Sequence, residues 1–498
     1  MFCVSCGKEN DERSQFCMHC GAELHVPGNA TNSMKESLTT QGGINKPAND
    51  AKGRRRLMLW LGIGGAFLVF VACVAIVFGV LGYNLFAPKE QLFYIIQDET
   101  ADNYATAVMT IRADGKENKE LYSDRDGFYM LWSLPGVQNN FISPDGQTLA
   151  LLDSQEELLL INNTGTAPVP LDTGIEIPFF QGFSPDGKYF GYTTIDDDRP
   201  SVRVVNLQGS EVLAIDDVIF SAFLPNSKQA VVIEYDTDDY RITAMAIVDV
   251  PSGEYTHLDD IEVVTDFPLV FVSSDGKTIY YTDNTGLMAF SVTGGSASSV
   301  YESELIDWAF FSPDGRMIAI LDDKKDALYL YDTKRKSTTR IDKDVFLDID
   351  FDLTFNSPVS FSSDSKYLAY IVGPGDLELY VVKVDGSDRV RLAENAQAFR
   401  FAFSPDKQHI AYIKWDNTYE GGDLYITRLD GSESKRLETG IWSFRFIEEG
   451  KYIVYTKVED LDRGAPESEI YRIKIDGQDK KLILPADDGL FTFIWPVP

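Results

Sequence analysis

The chain has 498 residues, of which 44% are hydrophobic, and its formal net charge is −32. This length allows several domains, and the composition divides the chain, because residues 57–88 are uncharged whereas residues 89–498 carry 37 Lys and Arg against 71 Asp and Glu. A body this acidic argues against a nucleic-acid partner, since phosphate binding requires a positively charged surface.

The first 24 residues contain two pairs of cysteines with the spacing Cys-x2-Cys, and ten residues separate the pairs. Two such pairs on tight turns can place four thiolates tetrahedrally around one Zn²⁺. Gly7 and Gly21 follow the second cysteine of each pair, where a left-handed backbone lets amides approach the sulfurs. Four sulfur ligands close the site, so we predict a structural zinc ion bound by Cys3, Cys6, Cys17 and Cys20.

This stretch resembles the short zinc ribbons at the N-termini of many bacterial membrane proteins, and both cysteine pairs match. The resemblance implies a zinc ribbon over residues 1–24. His19 lies within the second pair and is not expected to be a ligand, because four cysteines already fill the coordination shell. Two disulfides are the alternative, but the compartment expected for this end of the chain is reducing.

Residues 25–56 are polar, without apolar periodicity, and end in Arg54, Arg55 and Arg56, which predicts a flexible linker with a basic end. Residues 57–86 follow as an uncharged, mostly apolar run that is long enough to cross the ~30 Å core of a bilayer as a helix. A cleaved signal peptide is the alternative, but it would begin close to the N-terminus. Because arginines favour the cytoplasmic side, we predict a single-pass protein of the cell membrane, with a cytoplasmic N-terminus and an extracytoplasmic remainder.

From Phe141 onwards the chain repeats one short phrase eight times, as in FSPDGKYFGYTT and FSPDGRMIAILD. The copies are 40 to 50 residues apart, which indicates a repeat architecture. In each copy a turn such as Pro-Asp-Gly separates two apolar strands, and a second turn such as Val-Asp-Gly-Ser (384–387) follows. Each copy therefore predicts four short antiparallel strands, as in a β-propeller blade. The copies begin at Phe141, Phe183, Phe223, Phe271, Phe311, Phe361, Phe403 and Phe446.

The phrase resembles the blades of TolB-like (WD-repeat-like) propellers. The resemblance covers roughly residues 92–498 and implies an all-β domain over residues 89–498. Asn226-Ser227 in the third copy and Glu448-Glu449 in the eighth depart from the pattern. Before the first copy, the sequence predicts three strands that correspond to the second, third and fourth strands of a blade lacking its first. Residues 489–498 are predicted to form a first strand with no further strand after it. We therefore predict a β-propeller of eight or nine four-stranded blades, closed by the C-terminal strand.

Residues 89–498 offer few groups for catalysis. Their two histidines, His257 and His409, are not in metal-spaced pairs, and no Gly-x-Ser-x-Gly elbow occurs, so we predict that the chain is not an enzyme. Acidic runs at 196–198, 236–239 and 348–352 could bind Ca²⁺, but solvated surface charge is the simpler interpretation. We interpret the turn aspartates as structural, namely Asp145, Asp186, Asp275, Asp314 and Asp406.

The sequence favours a membrane-anchored propeller that acts as an extracytoplasmic binding or scaffold module for a protein, a peptide or an envelope glycan. One alternative is a transmembrane sensor that couples binding on the outside to the zinc ribbon on the inside. The other is a lyase or glycosidase that uses carboxylates in the central channel.

Overall fold

The computed structural model describes residues 90–98, 105–124, 128–130, 141–173, 181–196, 199–236, 241–258, 269–303, 306, 308–343, 345, 358–373, 377–394, 400–414, 421–459, 467–488 and 490–493. The chain divides into two units between Ala87 and Pro88, and all of these residues belong to the second unit. The predicted zinc ribbon (1–24), linker (25–56) and transmembrane helix (57–86) lie outside the described residues.

Within these ranges the second unit is all-β, with 35 strands in eight antiparallel sheets. Sheet 1 joins both ends of the unit and contains β1 (Gln91–Asp98), β2 (Ala105–Arg112), β3 (Lys119–Asp124) and β35 (Leu490–Phe493). Sheet 2 contains β4 (Phe128–Met130), β5 (Thr148–Asp153), β6 (Leu158–Asn162) and β7 (Val169–Asp172). Sheet 3 contains β8 (Gln181–Phe183), β9 (Tyr189–Asp196), β10 (Arg199–Asn206) and β11 (Glu211–Asp216). Sheet 4 contains β12 (Val218–Phe223), β13 (Gln229–Asp236), β14 (Arg241–Asp249) and β15 (Tyr255–Leu258).

The remaining sheets follow in chain order. Sheet 5 contains β16 (Val270–Val272), β17 (Thr278–Asp283), β18 (Gly286–Ser291) and β19 (Ser298–Glu302). Sheet 6 contains β20 (Trp308–Phe311), β21 (Met317–Asp322), β22 (Ala327–Asp332) and β23 (Ser337–Lys343). Sheet 7 contains β24 (Val359–Phe361), β25 (Tyr367–Val372), β26 (Glu378–Lys383) and β27 (Val390–Ala393). Sheet 8 has seven strands, β28 (Phe401–Phe403), β29 (His409–Lys414), β30 (Gly422–Arg428), β31 (Lys435–Ile447), β32 (Tyr452–Glu459), β33 (Glu467–Lys474) and β34 (Lys481–Asp488).

The second strand of each repeat contains a run of mostly apolar consecutive residues rather than apolar residues on alternate positions alone. In β25, with the sequence YLAYIV, the four central residues are buried. A strand has such a run of consecutive apolar residues when both of its faces are covered, because successive side chains point to opposite faces of the sheet. Both faces of the middle strands are therefore packed, and the apolar core lies between neighbouring sheets.

The first strands lie inside and the fourth strands lie outside. First strands of neighbouring sheets contact each other: β8 contacts β12, β12 contacts β16, and β20 contacts β24. Fourth strands are exposed, as in β15, where three of four residues are exposed, and in β23, whose first four residues are exposed. Four-stranded meanders whose first strands meet form a propeller-like arrangement.

Sheet 8 contains two repeats that share one strand. The first part of β31 pairs with β30, and from Ile441 onwards the same strand pairs with β32. Gly440 has a φ of 71°, a left-handed conformation that glycine adopts without strain, between these two parts. The connection between these two repeats is thus one continuous strand.

The predicted membrane anchor needs correction. The helical elements among the described residues are two 3-10 helices of three residues, Asp323–Lys325 and Glu448–Gly450. In this part of the chain no helix is long and apolar enough to cross a membrane. The structure therefore does not support the localisation predicted from the uncharged run, a single-pass protein with a cytoplasmic N-terminus and an extracytoplasmic propeller.

Candidate binding surface

Six of the eight repeats build their first turn around a serine. In sheet 6, Ser312 Oγ donates a hydrogen bond to Asp314 Oδ1 at 2.7 Å and accepts one from the Met317 N–H at 2.9 Å. Gly315 follows with a φ of 68°. The serine hydroxyl thus closes the turn that the Ser-Pro-Asp-Gly phrase predicts. The same contacts occur at Ser143, Ser184, Ser273, Ser362 and Ser404.

Turns of successive repeats also contact each other, and we call these turns together the turn ring. The Asp186 N–H donates to Ser227 Oγ of the next repeat at 2.9 Å, and the Asp314 N–H donates to Ser365 Oγ at 3.0 Å. Ser274 Oγ in turn donates to the Asp314 carbonyl at 2.9 Å. The turns therefore stabilise the packing of sheet against sheet as well as their own hairpins.

Asp186 and Asp275 are ionised members of these hydrogen-bond sets. Burial alone would raise the pKa of Asp186, but hydrogen bonds from Lys188 and Ser184 outweigh it and lower the pKa below its ordinary value. The hydrogen bond from Ser273 likewise lowers the pKa of Asp275. These positions match the structural role that the sequence predicts for them.

The opposite end of the inner strands carries a different set of side chains. The inner strands are the first strands of the repeats. Each of them ends at its turn in the turn ring, so it begins at the opposite end of its sheet. Three half-buried residues lie at these starting points in three different repeats, and we call them the mouth residues. They are Trp308 at the start of β20, Arg400 immediately before β28, and Trp442 where β31 begins to pair with β32.

Two mouth residues from neighbouring repeats contact each other directly. The Arg400 guanidinium carbon lies 4.7 Å from the centroid of the Trp442 ring, and Arg400 Nη1 donates to the Trp442 carbonyl. A guanidinium over an indole face is attracted by the quadrupole of the ring. The contact holds a planar cation and a large aromatic ring together at the inner end of two sheets.

Other charged groups form contacts between neighbouring sheets. Tyr370 donates to Asp342 Oδ2 of the preceding sheet at 3.0 Å, and Arg389 donates to the same carboxylate while its guanidinium carbon lies 3.6 Å from the ring centroid of Tyr380. Asp342 thus joins two sheets through paired donors, which is a packing role.

Asp322 is the fully buried carboxylate of a second such group. It accepts from the Tyr301 hydroxyl at 2.6 Å and lies 2.9 Å from Lys325 Nζ. Burial would raise the pKa of Asp322, but the hydrogen bonds from Tyr301 and Lys325 outweigh it and lower the pKa. The ammonium and the hydroxyl therefore keep this carboxylate charged inside the sheet.

The candidate residues from the sequence fall into three places. His257 lies on the outer strand β15 with Nδ1 2.6 Å from Glu234, and His409 lies on β29 with Nδ1 3.0 Å from Asp406. The four cysteines, and the side chains of the acidic runs at 196–198, 236–239 and 348–352, lie outside the described residues. Within the described ranges, no group of three or more His, Cys, Asp or Glu residues could hold a metal ion.

The sequence analysis missed the mouth residues. Trp308 precedes the repeat phenylalanine Phe311 by three positions, and Trp442 precedes Phe446 by four. That recurrence of Trp just before the phrase is a signal that could have been used. Arg400 has no such signal, because only the pairing of two repeats brings it to Trp442.

Comparison with known protein families gives a match at the N-terminus. A family model for zinc-ribbon domains matches residues 2–24, which indicates zinc binding at this end of the chain. Comparison with curated proteins gives no significant match.

Solved structures with similar folds include a crystal structure described as the eukaryotic initiation factor, with 13% identity, coverage of 82% of this chain and 98% of that chain, and a TM-score of 0.48. An oligogalacturonate lyase from Vibrio parahaemolyticus is 12% identical, with coverage of 68% and 98% and a TM-score of 0.42. A dihydro-heme d1 dehydrogenase is 16% identical, with coverage of 70% and 73% and a TM-score of 0.46. At these identities the likeness concerns the fold alone.

The comparisons do not support the prediction that the chain is not an enzyme, because a lyase and a dehydrogenase are among the similar structures. The prediction relied on missing sequence motifs, and propellers can assemble reactive groups from separate blades without a local motif. The comparisons assign no activity to this chain.

Proposed function

We propose that residues 89–498 form a closed β-propeller of nine blades of the TolB-like type. Seven four-stranded sheets and the two repeats of sheet 8 supply the nine blades. Two observations support closure. β35 pairs with β1 over Leu490–Phe493, and the turn ring links successive repeats by direct contacts.

At the N-terminus, the proposed ribbon binds one structural Zn²⁺. The family match over residues 2–24 and the Cys-x2-Cys spacing support this assignment. The ligands are Cys3, Cys6, Cys17 and Cys20.

The propeller, in this proposal, is a binding or scaffold module whose ligand is a protein or peptide segment. The carrying observation is the pair Arg400 and Trp442, half-buried and stacked at the inner end of two sheets, with Trp308 on a third. Trp and Arg are enriched at interfaces because they combine a large apolar area with directed polar contacts. The acidic body further favours a segment that carries Lys or Arg, because complementary charge speeds association and excludes acidic competitors.

The test uses the full-length chain, immobilised, with peptide selection from a random library and affinity measurement of the enriched peptides. Trp442→Ala and Arg400→Ala should each weaken binding by about tenfold or more, as expected for central anchor residues. Tyr255→Ala is the matched control, because this aromatic residue is 39% exposed on the outer strand β15 and should leave the affinity unchanged.

Loss of binding in the Tyr255 variant, or full binding in the Trp442 variant, would contradict the assignment of the surface. A glycan array probed in parallel covers the other ligand class. Binding to glycans, with no enriched peptide, would replace the polypeptide ligand by an envelope glycan.

A further inference from the structure

The two ends of the propeller meet at one place, which we call the seam. Sheet 1 is built from β1, β2 and β3 near the start of the unit and β35 at its end. β35 pairs with β1 through Cα partners from Tyr94↔Phe493 to Gln97↔Leu490. In the described residues, this is the sheet whose strands come from both ends of the unit.

An aromatic contact fills the seam. Phe491 is fully buried, and its ring centroid lies 5.4 Å from that of Tyr94. The same apolar cluster includes Val454 and Ile470 of sheet 8, so it spans the two neighbouring sheets. The Phe491 N–H also donates to Ser468 Oγ of sheet 8 at 3.3 Å. Release of β35 would therefore uncover a core that both sheets share.

A charged contact lies at the turn-ring end of the seam. Arg445 Nη2 lies 3.0 Å from Glu90 Oε1, and the Glu448 N–H donates to Glu90 Oε2 at 3.2 Å. The side chains of Arg445 and Glu90 are 18% and 33% exposed. Burial lowers the pKa of Arg445, and the charge of Glu90 opposes that shift. The carboxylate thus stabilises a cation that is largely removed from water.

The position of Glu90 explains why a carboxylate is needed there. At two other junctions of the turn ring, the turn N–H of one repeat donates to a serine in the turn of the next repeat, Ser227 or Ser365. At the seam the neighbouring sheet contributes Glu90, which directly precedes β1. The side chain of Glu90 accepts the Glu448 N–H, which stands at the second position of its turn, where Pro185 and Pro313 of the other two turns have no N–H to donate.

We propose that Glu90 is the clasp of the propeller: it ties the start of β1, the partner strand of β35, to sheet 8, and its loss makes the seam the point where the ring opens first. The inference rests on the proposed closed ring. Loss of the clasp frees β35 while the other sheets stay folded, because those sheets are continuous in the chain and share no strand with the C-terminus. The seam is then a local opening unit of lower stability than the rest of the domain.

The test is hydrogen–deuterium exchange of the full-length chain, read in peptides that cover β35, β1 and, for comparison, β12 with β13. Glu90→Gln should raise exchange in β35 and β1 by about tenfold or more, because Arg445, which is largely removed from water, loses the carboxylate charge that stabilises it, and should leave β12 and β13 unchanged. Asp423→Asn is the matched control, since it breaks an ion pair of the same 3.0 Å length in sheet 8 that is more exposed and lies away from the seam. It should leave β35 as in the wild type.

Should Glu90→Gln fail to fold, Glu90→Asp keeps the charge on a shorter side chain and should give a smaller rise confined to the same peptides. Unchanged exchange in β35, or a rise spread evenly over all sheets, would overturn the clasp. Fast exchange of β35 already in the wild type would instead contradict the closed ring itself.

Discussion

At the residue scale, two positions that depart from the sequence phrase turn out to have a contact of their own. Ser227 and Ser365 replace the glycine of the turn and adopt a left-handed backbone, with φ of 57° and 58°. A serine is strained there, but its hydroxyl accepts the turn N–H of the preceding repeat. The sequence marks the third copy as a departure but gives no sign of the bond, because the donor lies about one repeat away.

Replacement of Ser365 separates the bond from the strain. Ser365→Ala loses the bond and keeps the left-handed backbone, so it should lower the free energy of unfolding by about 1–3 kcal/mol. Ser365→Gly also loses the bond but relieves the backbone strain, by about 1 kcal/mol, and should fall between the wild type and the alanine variant. Denaturant unfolding of the full-length chain measures both. A glycine variant less stable than the alanine variant would contradict this account.

At the element scale, the turns and strands were the most predictable part of the fold. Each turn is specified by local residues, Ser, Asp and Gly, whose hydrogen bonds span at most five positions. The fusion of two repeats through β31 was not predictable, because Thr439-Gly440 reads as a loop in the sequence. The close approach of Gly421 to Gly440 allows the strand to continue: a Cβ on Gly421 would lie 2.8 Å from the Gly440 carbonyl carbon.

Alanine at Gly421 should therefore be more costly than at a glycine in open space. Gly421 has a φ of 80°, and Gly294 has a φ of 90° with no atom within 4 Å of an added Cβ. Both substitutions introduce backbone strain of about 1 kcal/mol, but only Gly421→Ala adds a clash with the backbone of β31. Unfolding midpoints should rank the wild type above Gly294→Ala and Gly294→Ala above Gly421→Ala. Equal stabilities of the two variants would show that the approach does not constrain β31.

The turns also predict how stability responds to acid. Hydrogen bonds lower the pKa of four turn aspartates, in all four against the opposing effect of burial. A lowered folded-state pKa means that the unfolded chain binds protons more tightly. The contribution of these carboxylates to the free energy of unfolding is complete above the ordinary carboxyl pKa of about 4, and it is lost as the pH falls through their lowered pKa in the folded state. The four residues are Asp186, Asp275, Asp364 and Asp406.

Urea unfolding between pH 7 and pH 3 should show this loss in the wild type. A variant with asparagine at all four positions should be less stable at pH 7 and should lose less stability on acidification. An identical pH dependence in the two proteins would rule out the turns as a source of acid sensitivity.

At the scale of the whole molecule, the repeat made the all-β fold predictable, because eight copies of one phrase each encode the same four strands. The candidate surface was not predictable in the same way. Arg400 and Trp442 are 42 positions apart and meet only because two repeats pack side by side. Glu90 has no local pattern at all, since its partners lie more than 350 positions further along the chain.

Zinc should be a property of the N-terminal region alone. We expect one equivalent of zinc per chain by elemental analysis and its loss in Cys3→Ser or Cys17→Ser, because a structural site needs all four thiolates. Cys73→Ser, the fifth cysteine, is the control and should retain the metal. Removal of zinc by a chelator should leave the thermal unfolding of the propeller unchanged. Retention of zinc in both ligand variants would exclude the four-cysteine site.

The central claim is that the chain closes into a ring of nine blades with its C-terminal strand seated on β1. Experimental structure determination of the full-length protein, by crystallography or cryo-electron microscopy, tests it most directly. We expect nine blades around one axis, β35 paired with β1, and Glu90 bound to Arg445. An open arc of sheets, or a C-terminal strand paired elsewhere, would contradict the ring, the clasp and the surface that depends on them.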